Sequence, residues 1–288
     1  MQFAFISPVD IALMGAIADV EREMYHRPPM HLILAHVCEE NPTYAQFFQK
    51  RSDCGDHIIL DNGAYEKGSA VSNNVMERWI EVMRPTEVVL PDVMFDKYKT
   101  LNRTLGTHEM WVKRWPKQKF MVVPQGQDLS DWWDCFTTLK RNLPIKTSWS
   151  IFKKSSTFDG GRFAVLDRIK SYYTSPDGLA TSYSSIGDWH LLGGDNTFEE
   201  LRAIPYLYPW VRSMDSADPI TASLAGKAIE ALNAVGSLGA ITLGWEYRRP
   251  DNYFNIKLTD LPTPYKQLIM ENITKTLAWA EPRHDELT

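Results

Sequence analysis

Apolar, β-branched or aromatic runs recur along the chain near residues 2–6, 31–37, 57–61, 87–91, 119–124, 147–152, 189–193 and 211–214. They predict eight buried strands, because a strand covered on both faces reads as a continuous hydrophobic run rather than an alternating one. The segments between them change period. Residues 73–84 carry Val75, Met76, Trp79, Ile80 and Met83 at helical spacing. Residues 129–143 carry Leu129, Trp132, Trp133, Phe136, Leu139 and Leu143, and residues 161–173 carry Phe163, Leu166, Ile169 and Tyr173. Thr197 and Glu200 read as a capping box, and the Ala-rich stretch 221–235 as the last helix of the series. Eight strand–helix units in about 250 residues predict an α/β fold of the (β/α)8 TIM-barrel type. A doubly wound sheet is the alternative, but no Gly-x-Gly-x-x-Gly opens the first helix. Residues 239–258 read as irregular, and Pro262 and Pro264 introduce an appended C-terminal helix near 263–279. The whole reads as a single domain, residues 1–288, with the barrel at about 1–237 and a C-terminal extension at about 238–288.

Three of the runs end on polar tips: Asp61-Asn62-Gly63-Ala64-Tyr65, Pro91-Asp92 and Pro124-Gln125-Gly126. The C-terminal end of a barrel strand is where this fold carries its chemistry. Under the barrel reading, strand 6 adds Ser150 and then Lys153 and Lys154, strand 7 adds Gly193 and Gly194, and strand 8 adds Asp215 with Asp218 just beyond. A flat heterocycle suits such a set. A carboxylate accepts two N–H bonds from an amidine-like edge, Gln supplies a donor and an acceptor, and Tyr65 offers a ring face. Asp61 with Asp215 or Asp218 suits displacement at a sugar carbon, one carboxylate attacking while the other moves protons. Plainer roles compete. A strand-end Asp also serves as a helix N-cap, and Asp218, before Pro219, suits that role. Tyr65 also reads as a rim packing residue. His36 and His190, inside apolar runs, read as satisfied core histidines. Lys153, Lys154 and Arg162, with Gly160-Gly161, could hold phosphates or form a solvated face. Trp111, Lys113, Arg114 and Trp115 mix basic and aromatic character, as nucleic-acid surfaces do.

Composition narrows the classes. The chain is 44% hydrophobic and 12% aromatic, with a net charge of −5, which disfavours a basic nucleic-acid coat. Cys38, Cys54 and Cys135 are too few and too far apart for a disulfide framework or a Cys-rich zinc site. No His-Glu-x-x-His or His-x-His occurs, so no metal is expected. No run approaches a membrane span, and residues 1–7 lack the basic start and long apolar stretch of a secretory leader, so none is expected. A cytoplasmic protein is expected.

The polar tips also carry a resemblance. Asp61-Asn62-Gly63-Ala64-Tyr65 resembles the Asp-Ser-Gly-Gly-Phe/Tyr segment of tRNA-guanine transglycosylases. Asp92 stands where that family has its base-reading Asp. Val123-Pro124-Gln125-Gly126 is similar to its Val-Gln-Gly segment, and His190-Leu191-Leu192-Gly193-Gly194 to its His/Tyr-Leu-Met-Gly segment. Val211-Arg212-Ser213-Met214-Asp215-Ser216-Ala217-Asp218 is similar to its nucleophile segment. The family's zinc-site cysteines and its Pro-Thr-Arg contact are missing, and Trp149-Ser150-Ile151-Phe152 replaces a Gly-Gly-Leu segment. The chain therefore looks more like the short, phage-type relatives that act on DNA.

The resemblance implies replacement of guanine in DNA by a free 7-deazaguanine base, without a cofactor. It implies that Asp92, Gln125, Gly126 and Tyr65 bind the base, with Asn62, Gly63, Ser150, Gly193 and Gly194 around it, and that Asp61 moves the proton. The family's register puts the nucleophile at Asp218; position directly after the apolar run puts it at Asp215, which we prefer. It leaves tRNA, or a barrel acting on hypermodified thymine, as alternative substrates. An inactive base-binding module and a phosphate-binding metabolic barrel are readings from other classes.

Overall fold

The structure is a computed structural model that describes residues 1–144, 147–174, 187–194, 197–232 and 252–281. Eight strands form a parallel barrel: β1 (Gln2–Phe5), β2 (Met30–Leu34), β3 (His57–Asp61), β4 (Glu87–Val89), β5 (Lys119–Val122), β6 (Ser148–Ile151), β7 (Trp189–Leu191) and β8 (Val211–Ser216). The order β1-β8-β7-β6-β5-β4-β3-β2 is parallel throughout, and β1 lies beside β2 where the ring meets. This is an α/β TIM barrel, as the strand count predicts.

Helices α1 (Ile11–Tyr25), α2 (Ala35–Glu40), α3 (Pro42–Asp53), α4 (Ala64–Lys67), α5 (Asn73–Met83), α6 (Lys97–Arg114), α7 (Leu129–Asn142), α8 (Gly161–Thr174), α9 (Thr197–Leu207) and α10 (Asp218–Leu224) follow the strands. Several begin where a short polar side chain satisfies an orphan amide. Asp10 accepts from the Leu13 amide at 2.9 Å, Asp96 from Lys99 at 2.9 Å and Asp128 from Asp131 at 2.8 Å. The helices cover the barrel with aromatic side chains. Trp132 and Phe136 of α7 stack at 5.6 Å, and both pack on Trp189 of β7.

The structure corrects several expectations. The second run ends at Leu34, so His36 lies on α2, where it is buried. The helix expected over 221–235 starts earlier and stops at Leu224, because the chain turns at Ala225 and enters the left-handed region at Gly226. Asp218 is the first residue of α10 and not its cap. Ala217 occupies the cap position, and the Asp218 amide donates to the Ser216 hydroxyl at 3.1 Å. The capping box expected at Thr197 involves a side chain outside the described residues, and most of 239–258 lies outside them as well. The C-terminal helix α11 (Thr263–Ala280) is no appendage. It packs against α1, β1, α9 and α10, so it fills the outer-ring place that the short α10 leaves open. Buried Asn272 ties it there, reaching the Ser223 hydroxyl at 2.8 Å and accepting from the Ile229 amide at 2.9 Å.

The basic-aromatic stretch at 111–115 serves packing between α5 and α6. Buried Trp111 donates to Glu77 at 2.9 Å, and Arg114 pairs with Glu77 at 2.6 Å and with Glu81.

One buried acid makes stability depend on pH. Glu21 of α1 is fully buried, with one oxygen accepting from the Met30 amide at 2.8 Å and the other without a hydrogen-bond partner among the described residues. Burial pushes its carboxyl up to about 8, with the nearby Asp56 charge adding to the effect and the Met30 amide opposing it. The folded chain therefore holds this proton more tightly than the unfolded chain. The stabilisation is complete below about pH 4.5 and is lost as pH rises through about 8. Glu21→Gln keeps the bond to Met30 and removes the titration. The variant is expected to gain in Tm relative to the parent as pH goes from 5 to 9; a constant difference would refute this.

Candidate active site at the barrel mouth

The three polar tips do meet. Asp92, just past β4, is buried, and each of its carboxylate oxygens accepts from a neighbouring amide side chain: Oδ1 from Asn62 at 3.0 Å and Oδ2 from Gln125 at 2.7 Å. Gln125 is fixed in turn, its Oε1 accepting from the Phe95 amide at 3.2 Å. This assigns its NH2 group to the Asp92 side. Phe95 itself is half-exposed and holds a left-handed backbone at φ 61°, a strained conformation for a residue with a side chain. Such strain is characteristic of ligand sites. Its ring lines a groove of about 810 Å³ together with Tyr98, Gln127 and Trp133. Sequence reading missed Phe95, since nothing in the sequence marks a left-handed phenylalanine.

Asp61 ends β3 and is buried. Its Oδ2 accepts from the Gly63 amide at 2.8 Å, and Gly63 itself holds a left-handed backbone at φ 70°. A side chain at Gly63 would run into the His36 ring at 2.5 Å. Burial raises the Asp61 carboxyl well above the usual carboxylate range. The charges of Glu66, Asp92 and Asp215 push the same way, and the Gly63 amide only partly opposes them. Asp61 is thus biased towards its protonated form. Burial also raises Asp92, against the pull of Asn62 and Gln125.

Asp215 lies across the mouth on β8. Its Oδ1 accepts two hydrogen bonds, from His190 Nε2 at 3.0 Å and from the Gly193 amide at 3.0 Å. Among the described residues no donor reaches Oδ2. Asp218 sits half-buried at the start of α10, one turn further out.

Several expected ligand residues turn out to be supports. Ser150 points into the barrel, is fully buried and donates to the His190 carbonyl at 2.8 Å, so it does not line the mouth. Asn62 is buried between the Leu90 carbonyl, Asp92 and the Ala64 amide, and holds Asp92 in place. Gly193 and Gly194 spend their amides on Asp215, the first on its side chain and the second on its carbonyl at 2.8 Å. Gly126 is required by packing, because a Cβ there would lie 2.2 Å from the Trp132 nitrogen of α7.

Arg162 is not a phosphate ligand. It is buried, pairs with Glu200 at 3.1 Å, and donates to the Leu192 and Gly193 carbonyls at 3.0 and 2.7 Å. It braces the loop that carries Gly193. Lys153 and Lys154 are half-buried on a short 3-10 turn (Lys153–Thr157) after β6. The Lys153 stem runs beside Gly193, and its ammonium lies 5.9 Å from the centre of the Tyr65 ring. Tyr65 is 47% exposed on the rim, with its ring open to the mouth's solvent side.

Among the described residues no group of three or more His, Cys, Asp or Glu could hold a metal ion. No helix among them is long and apolar enough to cross a membrane.

Compared with models of known families and with curated proteins, the chain matches none. Solved structures that resemble it include fructose-bisphosphate aldolase from Campylobacter jejuni, at 12% identity and a TM-score of 0.44, covering 96% of this chain and 87% of that one. Another is N-acetylneuraminate lyase from Mycoplasma synoviae, at 12% identity and a TM-score of 0.44, covering 96% of both chains. The fold rests on the strand order itself, and it is that of a (β/α)8 barrel.

Proposed function

We propose that this barrel is an enzyme that exchanges guanine in DNA for a free 7-deazaguanine base through a covalent glycosyl–aspartate intermediate. The observation that carries the reading is a division of labour between two carboxyls at one mouth. Asp61 is buried and biased towards its protonated form, while Asp215 is anchored through Oδ1 and no donor among the described residues reaches its Oδ2. The pre-set Asp92–Gln125 pair between them suits the N–H-rich edge of a guanine.

The target nucleotide is swung out of the duplex. Its base edge meets Asp92 and Gln125, with Tyr65 against the ring face. Oδ2 of Asp215 bonds to C1′ as the bond from C1′ to the base breaks. The electron pair of that bond leaves with the base, which takes the Asp61 proton and departs as neutral guanine. The incoming base gives a proton back to Asp61 and bonds to C1′, displacing Asp215. Two inversions retain the configuration, and no cofactor enters. Lys153 and Lys154 suit flanking phosphates. The missing zinc motif favours DNA over tRNA.

Incubation of the protein with labelled guanine and either duplex DNA or tRNA tests this. Label is expected in DNA. Label in tRNA alone would move the substrate to RNA, and label in neither would defeat the reading.

A further inference from the structure

β8 departs from regular pairing with β7. Trp189 pairs with Val211, but His190 pairs with Ser213, so Arg212 is an extra residue in the strand. Such a bulge re-aims side chains next to active sites. Here it lets two consecutive residues, Arg212 and Ser213, both reach the barrel interior. Arg212 extends towards the N-terminal end and pairs with Glu87. Ser213 turns to His190.

The contacts then run in one direction. Arg212 Nε, which can only donate, gives its hydrogen to the Ser213 hydroxyl at 3.2 Å. The Ser213 oxygen lies 2.8 Å from His190 Nδ1, and its own hydrogen is left for that nitrogen. His190 Nε2 lies 3.0 Å from Asp215 Oδ1, an acceptor. The Asp215 end calls for a proton on Nε2, and the Ser213 hydroxyl, already accepting from Arg212, is free to donate to a bare Nδ1. The ring has no exposed surface, and burial lowers its basicity despite the neighbouring Asp215, so it stays neutral.

We propose that His190 is a positioning residue, a neutral Nε2–H imidazole that pins Oδ1 of Asp215 and thereby presents Oδ2 to the sugar. The inference deepens the transglycosylase reading and rests on it for its catalytic meaning. Arg212 and Ser213 set the tautomer, and the Gly193 amide supplies the second anchor on the same oxygen. His190 touches no substrate.

Long-range proton–nitrogen NMR of the His190 ring in the 15N-labelled protein reads the tautomer without any substrate. A neutral ring with its proton on Nε2 near pH 7 is expected; a proton on Nδ1, or an imidazolium, overturns the proposal. Kinetics read the consequence. Ser213→Ala and His190→Leu are expected to slow formation of the glycosyl-enzyme by about 100-fold, the scale of a small misplacement of a reacting group. The affinity for free guanine should stay unchanged. His190→Gln, whose amide can donate from near the Nε2 position, should recover most of the rate. Equal rates in the leucine and glutamine variants, both shown folded by circular dichroism, would overturn the positioning role. Wild-type protein that exchanges no base would overturn the proposed function instead, and the ring measurement would then decide the His190 inference alone.

Discussion

Asp215→Asn is expected to abolish base exchange and the covalent adduct together, lowering the rate by about four orders of magnitude or more, as removal of a nucleophile does elsewhere. The substitution is nearly isosteric, and the anchors from His190 and Gly193 act on Oδ1, which the amide can keep. Binding of free guanine at Asp92 and Gln125 should persist, so the loss would read as chemistry and not as unfolding. Asp61→Asn should behave differently. It removes a proton donor, an effect of about 10²–10⁴-fold, and a substrate with a better leaving group should restore much of the adduct. On the proposed mechanism, the adduct rate of the unaltered protein should fall as pH rises through the elevated Asp61 titration, because the acid is then spent. Trapping the adduct on denaturing gels measures both. An Asp215→Asn protein that still forms adduct would shift the nucleophile to Asp218.

The second large effect concerns stability. Glu87→Ala is expected to destabilise the fold by about 3–5 kcal/mol, because it removes the buried side of an ion pair and leaves Arg212 facing only the more distant Asp188, at 3.7 Å, among the described carboxylates. Glu87 opens β4 with no exposed surface, and it faces Arg212 from β8, Lys119 at 3.4 Å and the Ser148 hydroxyl at 2.7 Å. His57 Nε2 lies 3.0 Å from its Oε1. Burial alone would raise this carboxyl; His57, Arg212 and Lys119 outweigh it and hold the group well below the usual range. The loss should appear as a Tm drop of about 10 °C. Glu87→Ala combined with Arg212→Met should recover part of it, since burying neither charge is cheaper than burying one. Chemical denaturation of Glu87→Ala, Arg212→Met and the double variant gives the coupling directly; a double variant no more stable than Glu87→Ala would refute the pairing.

The barrel was legible because buried parallel strands are written as uninterrupted apolar runs and the segments between them switch to helical spacing. The meeting of Asp61, Asp92 and Gln125 followed from the same rule, since strand ends converge. The supports were not legible. Arg162 looks in sequence like a solvated cation beside two lysines, and only Glu200 of the next helix makes it structural. Gly193 looks like a glycine opened for a ligand, yet its amide serves Asp215. The bulge at Arg212 depends on the register between two strands, and local sequence does not state a register. His190 was readable as a satisfied buried histidine, but which groups satisfy it is a tertiary fact. The seat of α11 was hidden for the same reason: its amphipathic sequence says helix, and only the shortness of α10 says where.

That seat has a consequence for biogenesis. The hydroxyl of Tyr25 on α1 donates to the Leu277 carbonyl of α11 at 2.8 Å across 252 positions of sequence, and Tyr253 reaches back to the Ile6 carbonyl. The first βα unit therefore receives its covering layer only after residue 277 has left the ribosome. Until then the α1 flank and the outer face of β1 lack part of their cover, the kind of exposed apolar surface on which nascent chains aggregate or recruit chaperones. Contacts of such long range also slow folding. For this chain, the outer cover of the first strand and helix is the last part to be synthesised.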